Sequence, residues 1–475
     1  MTETAGMRAL LDLEDAAPDV LWEPVPGAGT LFWPLARWPV SRAVAESDIG
    51  TTVPTYPSPT LRQRVERAVR RSLPNPFASA RAPRADHLFI VTGWTKSPAV
   101  GGYVNWLSDA FADALGDDAV VVQDAFLDRL SRGMQRPVQA RTFSYARALE
   151  RITRRTEASP LSEADEQRLR RVLEEVFGRL PFEVTDAARE RAIGDALGRA
   201  RRAPHAEREF ARLLDRVQPR RIYMQAAAYG DRAPLVRLAR SRGIAVSELQ
   251  HGWIGSSHAA YNFGAAMARS PLVEHLPDTL LSFGSFWGEN VRFPGRIVPI
   301  GKPALDALRA SAPPYEERAP RVLFVSSAFA HETVERTVLA LRDALPDGWT
   351  VVVRPHPSEI ATIASKLPRL AAEPRIEFDT IPDAAATMLA SRAVVGFSST
   401  MLYEALAYGC HVAVVESPLA EFYADERIFP VRIRETDVTE LVGALSLPPR
   451  ATEQAIAESV WLPGAVERFA AEARG

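Results

Sequence analysis

Two series of short apolar segments, each alternating with helix-like segments, constrain the fold of this chain more than any other feature. The apolar segments are unbroken runs, such as those within 87–92 and 350–354. Strands buried on both faces have this pattern, which is typical of parallel sheets covered by helices. A charged, proline-rich stretch at 309–320 separates the two series, and 475 residues exceed what one ordinary core accommodates. The sequence therefore predicts an α/β protein with two doubly wound domains in tandem.

The boundaries of the predicted domains follow from where this alternation starts, stops and is interrupted. We expect, in chain order, an N-terminal extension (1–85), a first domain (86–308) with a helical insertion (142–217), a linker (309–320), a second domain (321–450) and a C-terminal helix (451–475). The C-terminal helix is expected to pack back on the first domain. Two such domains are expected to face a common cleft.

The composition excludes several classes of partner. Lys and Arg number 57 against 59 Asp and Glu, so the net charge of −2 gives no basic field for nucleic acid. The single cysteine, Cys410, cannot form an internal disulfide, which suits a reducing compartment. No apolar run approaches the roughly 20 residues of a membrane-spanning helix, and the acidic N-terminus lacks the pattern of a signal peptide. We therefore expect a cytoplasmic protein.

The N-terminal extension has two features that bear on a membrane. Trp33 and Trp38 lie in an aromatic segment, and the predicted helix at 61–73 has five arginines. One interpretation is a peripheral contact with anionic headgroups, beside a lipid-linked substrate. The other is an arm packed on the first domain, with its basic face in water.

In doubly wound sheets, ligands bind beyond the carboxyl ends of the strands, so the residues after each strand are the candidates for a site. In the second domain the residues at and after two strand ends are suited to a nucleotide, namely Arg354, His356, Pro357, Ser398, Ser399, Thr400 and Glu404. The hydroxyls and free N–H groups of the segment 398–400 start a predicted helix, and such a helix start binds phosphate. The prolines on either side of His356 limit its conformations, so it can donate to a phosphate or base at low entropic cost.

Each of these assignments has a structural alternative. Ser398 or Ser399 can simply cap the helix. His356 can be a loop histidine that bonds only to backbone. Glu404, about two turns into the helix, can be an exposed helix glutamate instead of a ligand for ribose hydroxyls.

In the first domain the strand at 245–250 ends with polar residues suited to proton transfer. The catalytic candidates are His251, Gln250 and Glu248, and the candidates for the acceptor side are Gly93, Lys96 and Gly252. A neutral histidine near pH 7 can take a proton from a hydroxyl, and a glycine lets a ligand or another backbone approach closely. The alternative is that His251 only closes the strand. Asp124 and Glu248 remain other candidates for the base.

Several motifs are missing from the sequence. It has no GxxxxGK[ST] phosphate loop, no GxGxxG fingerprint after the first strand and no GxSxG elbow. No Asp-x-Asp follows a strand, and no His pairs with Cys or Asp at the spacing of a metal site. We therefore expect chemistry that needs neither a metal nor a redox cofactor.

The segments RPHP (354–357) and GFSSTMLYEALAYG (396–409) resemble the paired HP and Ser motifs of bacterial sialyltransferases, polysialyltransferases and capsule Kdo transferases. QHG (250–252) resembles the His-Gly element of CDP-glycerol polymerases and related surface-polysaccharide enzymes. The resemblance covers roughly 245–416. It implies a GT-B glycosyltransferase with two Rossmann-like domains, a donor nucleotide on the second, an acceptor on the first, and no metal.

Transferred residue by residue, the resemblance implies that His356 contacts the donor nucleotide. Ser398, Ser399 and Thr400 would hold its phosphate, and Gln250 and His251 would face the acceptor or the reacting centre. The expected activity is transfer of a sugar, with a CMP-sugar favoured as donor, to a glycan or lipid-linked hydroxyl. Three alternatives remain: a CDP-glycerol-type phosphotransferase, a sugar-nucleotide 2-epimerase, and a non-catalytic carbohydrate-binding protein on the same fold.

Overall fold

The computed structural model describes residues 3–49, 78–92, 95–97, 102–123, 141–326, 330–356, 359–381 and 384–475. The described chain divides into two compact units. The N-terminal unit comprises Glu3–Ser282, Asn290–Ile300 and Val466–Gly475, and the C-terminal unit comprises Phe283–Glu289 and Gly301–Ala465. The basic segment 61–73 lies outside the described residues.

The N-terminal unit is built on a seven-stranded parallel sheet of order β5-β4-β1-β6-β7-β8-β9. Its strands are β1 (His87–Val91), β4 (Ala119–Gln123), β5 (Thr142–Ser144), β6 (Arg221–Gln225), β7 (Ala245–Leu249), β8 (Thr279–Ser282) and β9 (Arg296–Pro299). Two short strands, β2 (Thr95–Ser97) and β3 (Gly102–Val104), form a separate antiparallel pair. The central strands are buried runs of Val, Ile, Leu and Phe, as expected for a sheet covered on both faces.

Helices cover this sheet. They are α1 (Ala5–Ala16), α2 (Phe32–Ile49), α3 (Asp109–Leu115), α4 (Ala146–Ala158), α5 (Glu163–Gly178), α6 (Asp186–Val217) and α7 (Ala233–Ser241). The predicted helical insertion corresponds to β5 and α4–α6. Helices α1 and α2 contribute buried side chains to one hydrophobic cluster with α5 and α6.

The described part of the N-terminal extension is therefore part of the N-terminal unit. Trp33 is fully buried, and its indole N–H donates to Glu14 at 2.8 Å. Trp38 is half-buried and packs against Tyr229 and His258. A membrane contact through Trp33 is thus wrong, because the side chain is enclosed by the unit's own core.

The C-terminal unit is built on a six-stranded parallel sheet of order β12-β11-β10-β13-β14-β15. Its strands are β10 (Arg321–Val325), β11 (Thr350–Arg354), β12 (Ile376–Phe378), β13 (Ala393–Gly396), β14 (His411–Val415) and β15 (Arg432–Ile433). Its helices are α8 (Pro303–Ala310), α9 (His331–Ala344), α10 (Ile363–Lys366), α11 (Pro368–Ala371), α12 (Ala384–Leu389), α13 (Thr400–Ala407), α14 (Pro418–Tyr423), α15 (Thr439–Ala444) and α16 (Ala451–Val460). A last helix, α17 (Ala465–Arg474), follows.

The chain has two Rossmann-like domains, each a parallel sheet flanked by helices, as the alternation in the sequence predicted. None of the helices in the described residues is long and apolar enough to span a bilayer.

The segment 309–320, expected to link the domains, belongs to the C-terminal unit. Arg318 is buried and donates to the carbonyl oxygens of Tyr408 and Gly409 at the end of α13. Tyr315 is buried beside it and donates to the Leu445 carbonyl. The charged, proline-rich composition predicts a linker. In the structure, however, the Arg318 guanidinium is hydrogen-bonded to backbone carbonyls inside the unit.

The C-terminal segment forms two helices where the sequence suggested one. The segment between α16 and α17 includes Pro463 and Gly464, whose φ is 78°. Proline lacks an amide donor and glycine tolerates positive φ, so helix α16 ends before this pair. In the N-terminal unit, Phe469 of α17 packs on Phe111 and Tyr223, with ring centroids 4.3 and 4.9 Å away.

Candidate active site

In the N-terminal unit, polar side chains converge after β6 and β7. These strands are neighbours in register, with Met224 opposite Glu248 and Gln225 opposite Leu249. Neighbouring strands lie about 4.8 Å apart, so the loops that follow them start side by side. The first of these loops contains Tyr229 and the second contains His251. The sheet topology thus places two polar loops at one edge.

Glu248 is the only glutamate of β7, and it is fully buried. Its Oε1 accepts a hydrogen bond from the Tyr261 hydroxyl at 2.7 Å, and its Oε2 accepts from the Ala228 amide at 2.8 Å. Burial raises the pKa of Glu248 to about 7, although the hydrogen bonds from Tyr261 and Ala228 and the charge of Arg232 oppose this. A carboxyl group that titrates near neutral pH can exist in both protonation states in the cell.

His251 follows two residues after β7 and lies beside Glu248. Its Nδ1 is 3.9 Å from Glu248 Oε1, and 19% of its side-chain surface is exposed. Burial lowers the pKa of His251 to about 4, with the backbone of Leu249 acting in the opposite direction. Within the described chain, Nδ1 makes no hydrogen bond of normal geometry. The ring is therefore neutral at pH 7 and in a state that can accept a proton.

Gln250 and Gly252 have different surroundings. Gln250 is buried, and its side-chain amide donates to the Gly252 carbonyl at 2.9 Å. That bond shapes the loop around His251, which favours a positioning role over a chemical one. A Cβ atom added to Gly252 would meet no described atom within 4 Å. The glycine therefore does not serve a close approach of another part of the described backbone.

Tyr229 packs against His251 as part of a group of aromatic side chains that the sequence analysis did not assign to this site. Tyr229 lies 5.4 Å from the His251 ring and 4.5 Å from the Trp38 ring of α2, measured between centroids. His258 lies 5.7 Å from both Trp38 and Trp253. Inspection of the residues after β6 would have identified Tyr229. His258 and Trp38 gave no such signal, since neither follows a strand directly.

The structure does not describe the side chains of the other candidates for the acceptor side and for the base. Gly93 and Asp124 lie outside the described residues. Lys96 is in β2, and its side chain is not described. In the described ranges, no three His, Cys, Asp or Glu side chains lie close enough to bind a metal ion.

In the C-terminal unit, the register of three strands aligns the predicted donor residues. Val325 of β10 is opposite Arg354 of β11 on one side and Gly396 of β13 on the other. The two outer positions are thus two strand spacings, roughly 10 Å, apart at the same edge of the sheet. His356 and Ser398 each follow two residues later. The loops that contain His356 and Ser398 therefore start at the same edge of this sheet, which the sequence analysis expected for residues that bind one ligand.

The residues after β11 are held by ion pairs. Arg354 donates to Asp379 at 2.6 Å and to the Ile381 carbonyl at 3.0 Å. His356 is exposed, and its carbonyl accepts from the Glu359 amide at 2.8 Å. Pro357 lies outside the described residues. Arg354 therefore fixes the start of this loop and presents no uncommitted charge, whereas the His356 ring lies at the surface.

Glu359 anchors the His356 loop and was missed by the sequence analysis. Its carboxylate is 3% exposed and binds His331, the first residue of α9, at 2.9 Å. The same oxygen also binds Lys366. The attractions of Lys366 and His331 outweigh burial and lower the pKa of Glu359. A glutamate three residues after a histidine gives no signal by itself, since its partners are distant in sequence.

The start of α13 has the geometry of a capped helix. The Ser399 hydroxyl accepts from the Met401 amide at 3.2 Å, so the capping interpretation of Ser399 is correct. Thr400 is exposed at the first helical position, and Ser398 is half-buried just before it. The cap uses the Met401 amide, and the Leu402 amide donates to the Ser399 carbonyl at 3.0 Å, so an anion at this helix start would have to bind through the earlier amides and the helix dipole.

Glu404 of α13 forms an ion pair with Lys302. The distance is 2.6 Å, and the two side chains are 21% and 13% exposed. Lys302 also lies 5.4 Å from the centre of the Trp461 ring. The carboxylate expected to hold ribose hydroxyls is thus already paired. A ribose contact would have to share it with Lys302 or displace the lysine.

At the sequence level, no family model and no curated protein matches this chain. Among solved structures, it is similar to UDP-GlcNAc 2-epimerase from Methanocaldococcus jannaschii, with 12% identity over 81% of this chain and 97% of that one and a TM-score of 0.43. The Neisseria meningitidis enzyme, bound to UDP-GlcNAc, has 12% identity over 82% and 99%, with a TM-score of 0.45.

The glycotransferase of kitacinnamycin is also similar in structure, with 14% identity over 82% of this chain and 95% of that one and a TM-score of 0.38. These neighbours are epimerases and a glycosyltransferase.

Proposed function

We propose that this protein is a metal-independent glycosyltransferase that uses a nucleotide-activated sugar. The C-terminal unit binds the donor nucleotide, with a CMP-sugar favoured, and the N-terminal unit binds a hydroxyl acceptor on a glycan or lipid-linked carrier. The observation that carries the proposal is the pairing of a neutral His251 with the buried carboxyl of Glu248, beyond the end of a parallel strand. Such a pair is suited to removing a proton from a hydroxyl.

The proposed reaction combines the residues after β7 in the N-terminal unit with those after β11 and β13 in the C-terminal unit. His251 takes the proton of the acceptor hydroxyl as its oxygen attacks the anomeric carbon. The bond from that carbon to the phosphate oxygen breaks, and the nucleotide leaves with the negative charge. His356 and the N–H groups at the start of α13 stabilise that charge. A single displacement of this kind inverts the anomeric configuration.

The donor side of the proposal rests on the shared edge of β11 and β13. A phosphate that accepts from the first turn of α13, near Ser398 and Thr400, would be within one strand spacing or two of His356. Arg354 adds positive potential, although Asp379 offsets most of it. This set is suited to an anionic ligand without a bridging metal.

The test begins with thermal unfolding in the presence of CMP, CDP, UDP, GDP and their sugar conjugates. A ligand that binds only the folded protein raises its melting temperature, and we expect the largest rise with CMP or a CMP-sugar. The stabilising conjugate is then incubated with glycan acceptors, and released nucleotide is measured by chromatography. Acceptor-dependent release supports the transferase.

The alternatives predict other products in the same assay. An epimerase converts a UDP-sugar to its 2-epimer without an acceptor. A polyol phosphotransferase consumes CDP-glycerol and releases CMP. Stabilisation by a glycan alone, with no nucleotide effect, indicates a carbohydrate-binding protein and contradicts the proposal.

A further inference from the structure

The loop at 255–265, which follows β7, is bound by a side chain from the N-terminal helices. Arg37 of α2 is 4% exposed, and its guanidinium donates to the backbone carbonyl oxygens of Ala259 and Asn262. The same guanidinium lies 4.3 Å from the centre of the Phe263 ring. One buried side chain therefore connects α2 to a loop that is more than 200 positions later in the chain.

Glu14 of α1 completes this connection. Its carboxylate is fully buried, and it accepts from Arg37 Nε at 2.6 Å and from the Gly264 amide at 2.8 Å. A Cβ atom added to Gly264 would lie 2.4 Å from the Glu14 Cβ, so the loop is in direct contact with α1. The neighbouring Asp15 accepts from the Ala265 amide at 2.6 Å. We call the Glu14–Arg37 pair, together with the loop backbone that it binds, the clasp.

The energetics of a buried ion pair make the clasp and the loop conformation depend on each other. Burying two charges is offset only when further hydrogen bonds satisfy their remaining donors and acceptors. Here the loop backbone supplies those groups, since Arg37 donates to two of its carbonyls and Glu14 accepts from one of its amides. A loop in another position would leave both charges buried with unsatisfied groups. The clasp therefore favours one position of the loop.

The loop contributes side chains to the candidate active site. Tyr261 donates to Glu248 Oε1 at 2.7 Å, and His258 Nε2 lies 3.0 Å from the Tyr229 hydroxyl. The Tyr229 ring packs against the His251 ring at 5.4 Å. Tyr261 and His258 each directly precede a residue whose carbonyl belongs to the clasp. A shift of the clasp would thus move both loop side chains.

We propose that Arg37 is a positioning residue of the candidate active site, because it holds the loop at 255–265 where Tyr261 can bond to Glu248. The inference rests on the proposed function, in which the residues after β7 receive the acceptor hydroxyl. Arg37, the loop and Glu248 all belong to the N-terminal unit. Loss of the clasp should therefore impair use of the acceptor and leave nucleotide binding by the C-terminal unit unchanged.

Hydrogen exchange tests the clasp without substrate. In Arg37→Lys one ammonium group replaces the planar guanidinium and cannot keep all of its bonds. The amides of 255–265 should then exchange roughly 10- to 100-fold faster, beyond any change in the central strands β1 and β6. Glu209→Gln is the matched control, because Glu209 is also buried and binds arginines, but these are on α4 and α6. It should affect the loop no more than the strands.

A second variant acts on the clasp without removing a buried charge. Gly264 has φ of −76°, which alanine also adopts, so Gly264→Ala acts only through contact of the added Cβ with α1. It should also raise loop exchange selectively. Equal acceleration of the loop and the strands in Arg37→Lys means that the pair only stabilises the fold, which overturns the proposal. If that variant does not fold, unchanged loop exchange in Gly264→Ala overturns it.

The titration of Glu248 shows whether the loop position matters for the site. Burial raises the pKa of Glu248 to about 7, and the hydrogen bond from Tyr261 opposes this rise. A displaced loop weakens that bond, so the carboxyl should titrate at higher pH in Arg37→Lys and Gly264→Ala, and at the wild-type pH in Glu209→Gln. Infrared difference spectra measure this titration, and the band lost in Glu248→Gln identifies it. An unmoved titration in a folded variant with faster loop exchange refutes the positioning role.

Kinetics separate this inference from the proposed function. In an active enzyme, Arg37→Lys should lower kcat/KM for the acceptor about 10- to 100-fold, while the calorimetric affinity for CMP stays within about twofold. Glu209→Gln should keep the wild-type kcat/KM. An equal loss in both variants, or a loss of CMP affinity in Arg37→Lys, contradicts the proposal. If the wild-type protein has no transfer activity, the proposed function fails, and the exchange and infrared results still decide the role of Arg37.

Discussion

The two sets of strand-end residues differ in how their polar groups are satisfied. In the N-terminal unit, Glu248 and Tyr261 are buried and bond to each other, and His251 lies beside them with little exposure. In the C-terminal unit, His356 is exposed, and the charged groups near it form separate ion pairs with Asp379 and with Lys302. One set is a connected buried network, and the other is a surface edge formed of local pairs.

This difference matches two different chemical tasks. Burial shifts the pKa values of Glu248 and His251 towards each other's ordinary range, which is a property of acid–base sites. Anion binding at a helix start needs no such shift, because backbone N–H groups and the helix dipole supply the field. The comparison predicts that damage to the first set impairs chemistry and damage to the second impairs nucleotide affinity.

The largest expected effect is that of His251→Ala. Loss of the base should lower kcat by a factor of about 10² to 10⁴, with nucleotide affinity nearly unchanged. His251→Asn should be almost as slow, because an amide does not accept the proton. Steady-state kinetics and calorimetry measure the two quantities. His87→Asn, at the amino end of β1 in the same unit, is the control.

Two results would break the comparison at this residue. Near-normal kcat in His251→Asn means that His251 only orients the loop, and Glu248 becomes the next residue to test. Loss of nucleotide binding together with activity places His251 in the donor site.

The next largest effect is that of His356→Ala on nucleotide binding. Loss of one hydrogen bond to a phosphate or base costs about 1–3 kcal/mol, which raises Kd about 5- to 150-fold. Calorimetric titration with the nucleotide that stabilises the protein most measures it. Arg369→Ala, an exposed side chain paired with Glu335 in the same unit, is the control. Equal affinities of His356→Ala and wild type would refute the donor role.

The sequence predicted the fold and the edge of each sheet, because buried parallel strands leave an unbroken apolar pattern. It placed His251 and His356 after strands, and the register confirms that each follows a carboxyl end. Local capping was also predictable, since Ser399 needs only the Met401 amide two residues away.

Partners distant in sequence were not predictable from one chain. Glu404 is paired with Lys302, which is 102 positions away, and Tyr229 lies against Trp38 of α2. The sequence predicts Arg318 as part of a charged linker, but its guanidinium donates hydrogen bonds to backbone carbonyls about 90 residues later in the chain. The hydrophobic pattern of the sequence identifies which face of a helix or strand is buried. Which polar side chains then contact each other depends on how the helices and strands pack.

A pair of glycine variants sharpens the comparison within the N-terminal unit. Gly230 has φ of 86°, and an added Cβ would lie 2.5 Å from the Pro34 carbonyl oxygen, so Gly230→Ala should destabilise the protein by about 1–3 kcal/mol or more. Gly252→Ala meets no described atom and should leave stability unchanged. If the acceptor lies against Gly252, kcat/KM for the acceptor should fall roughly 10-fold. Unaltered kcat/KM in Gly252→Ala would remove the acceptor from that loop.

The smallest expected effect separates two roles of Ser399. Ser399→Ala loses the helix cap and should destabilise the C-terminal unit by about 0.5–2 kcal/mol, whereas Ser399→Gly should cost only a few tenths. Both variants keep the backbone N–H groups of the first turn of α13. If the phosphate binds through those groups, Ser399→Gly should keep nucleotide affinity within about twofold, because only the cap has changed. Calorimetry beside thermal unfolding measures both quantities. A loss of affinity in Ser399→Gly that exceeds its loss of stability would show that the hydroxyl itself contacts the ligand, and the capping bond to Met401 must then yield when the nucleotide binds.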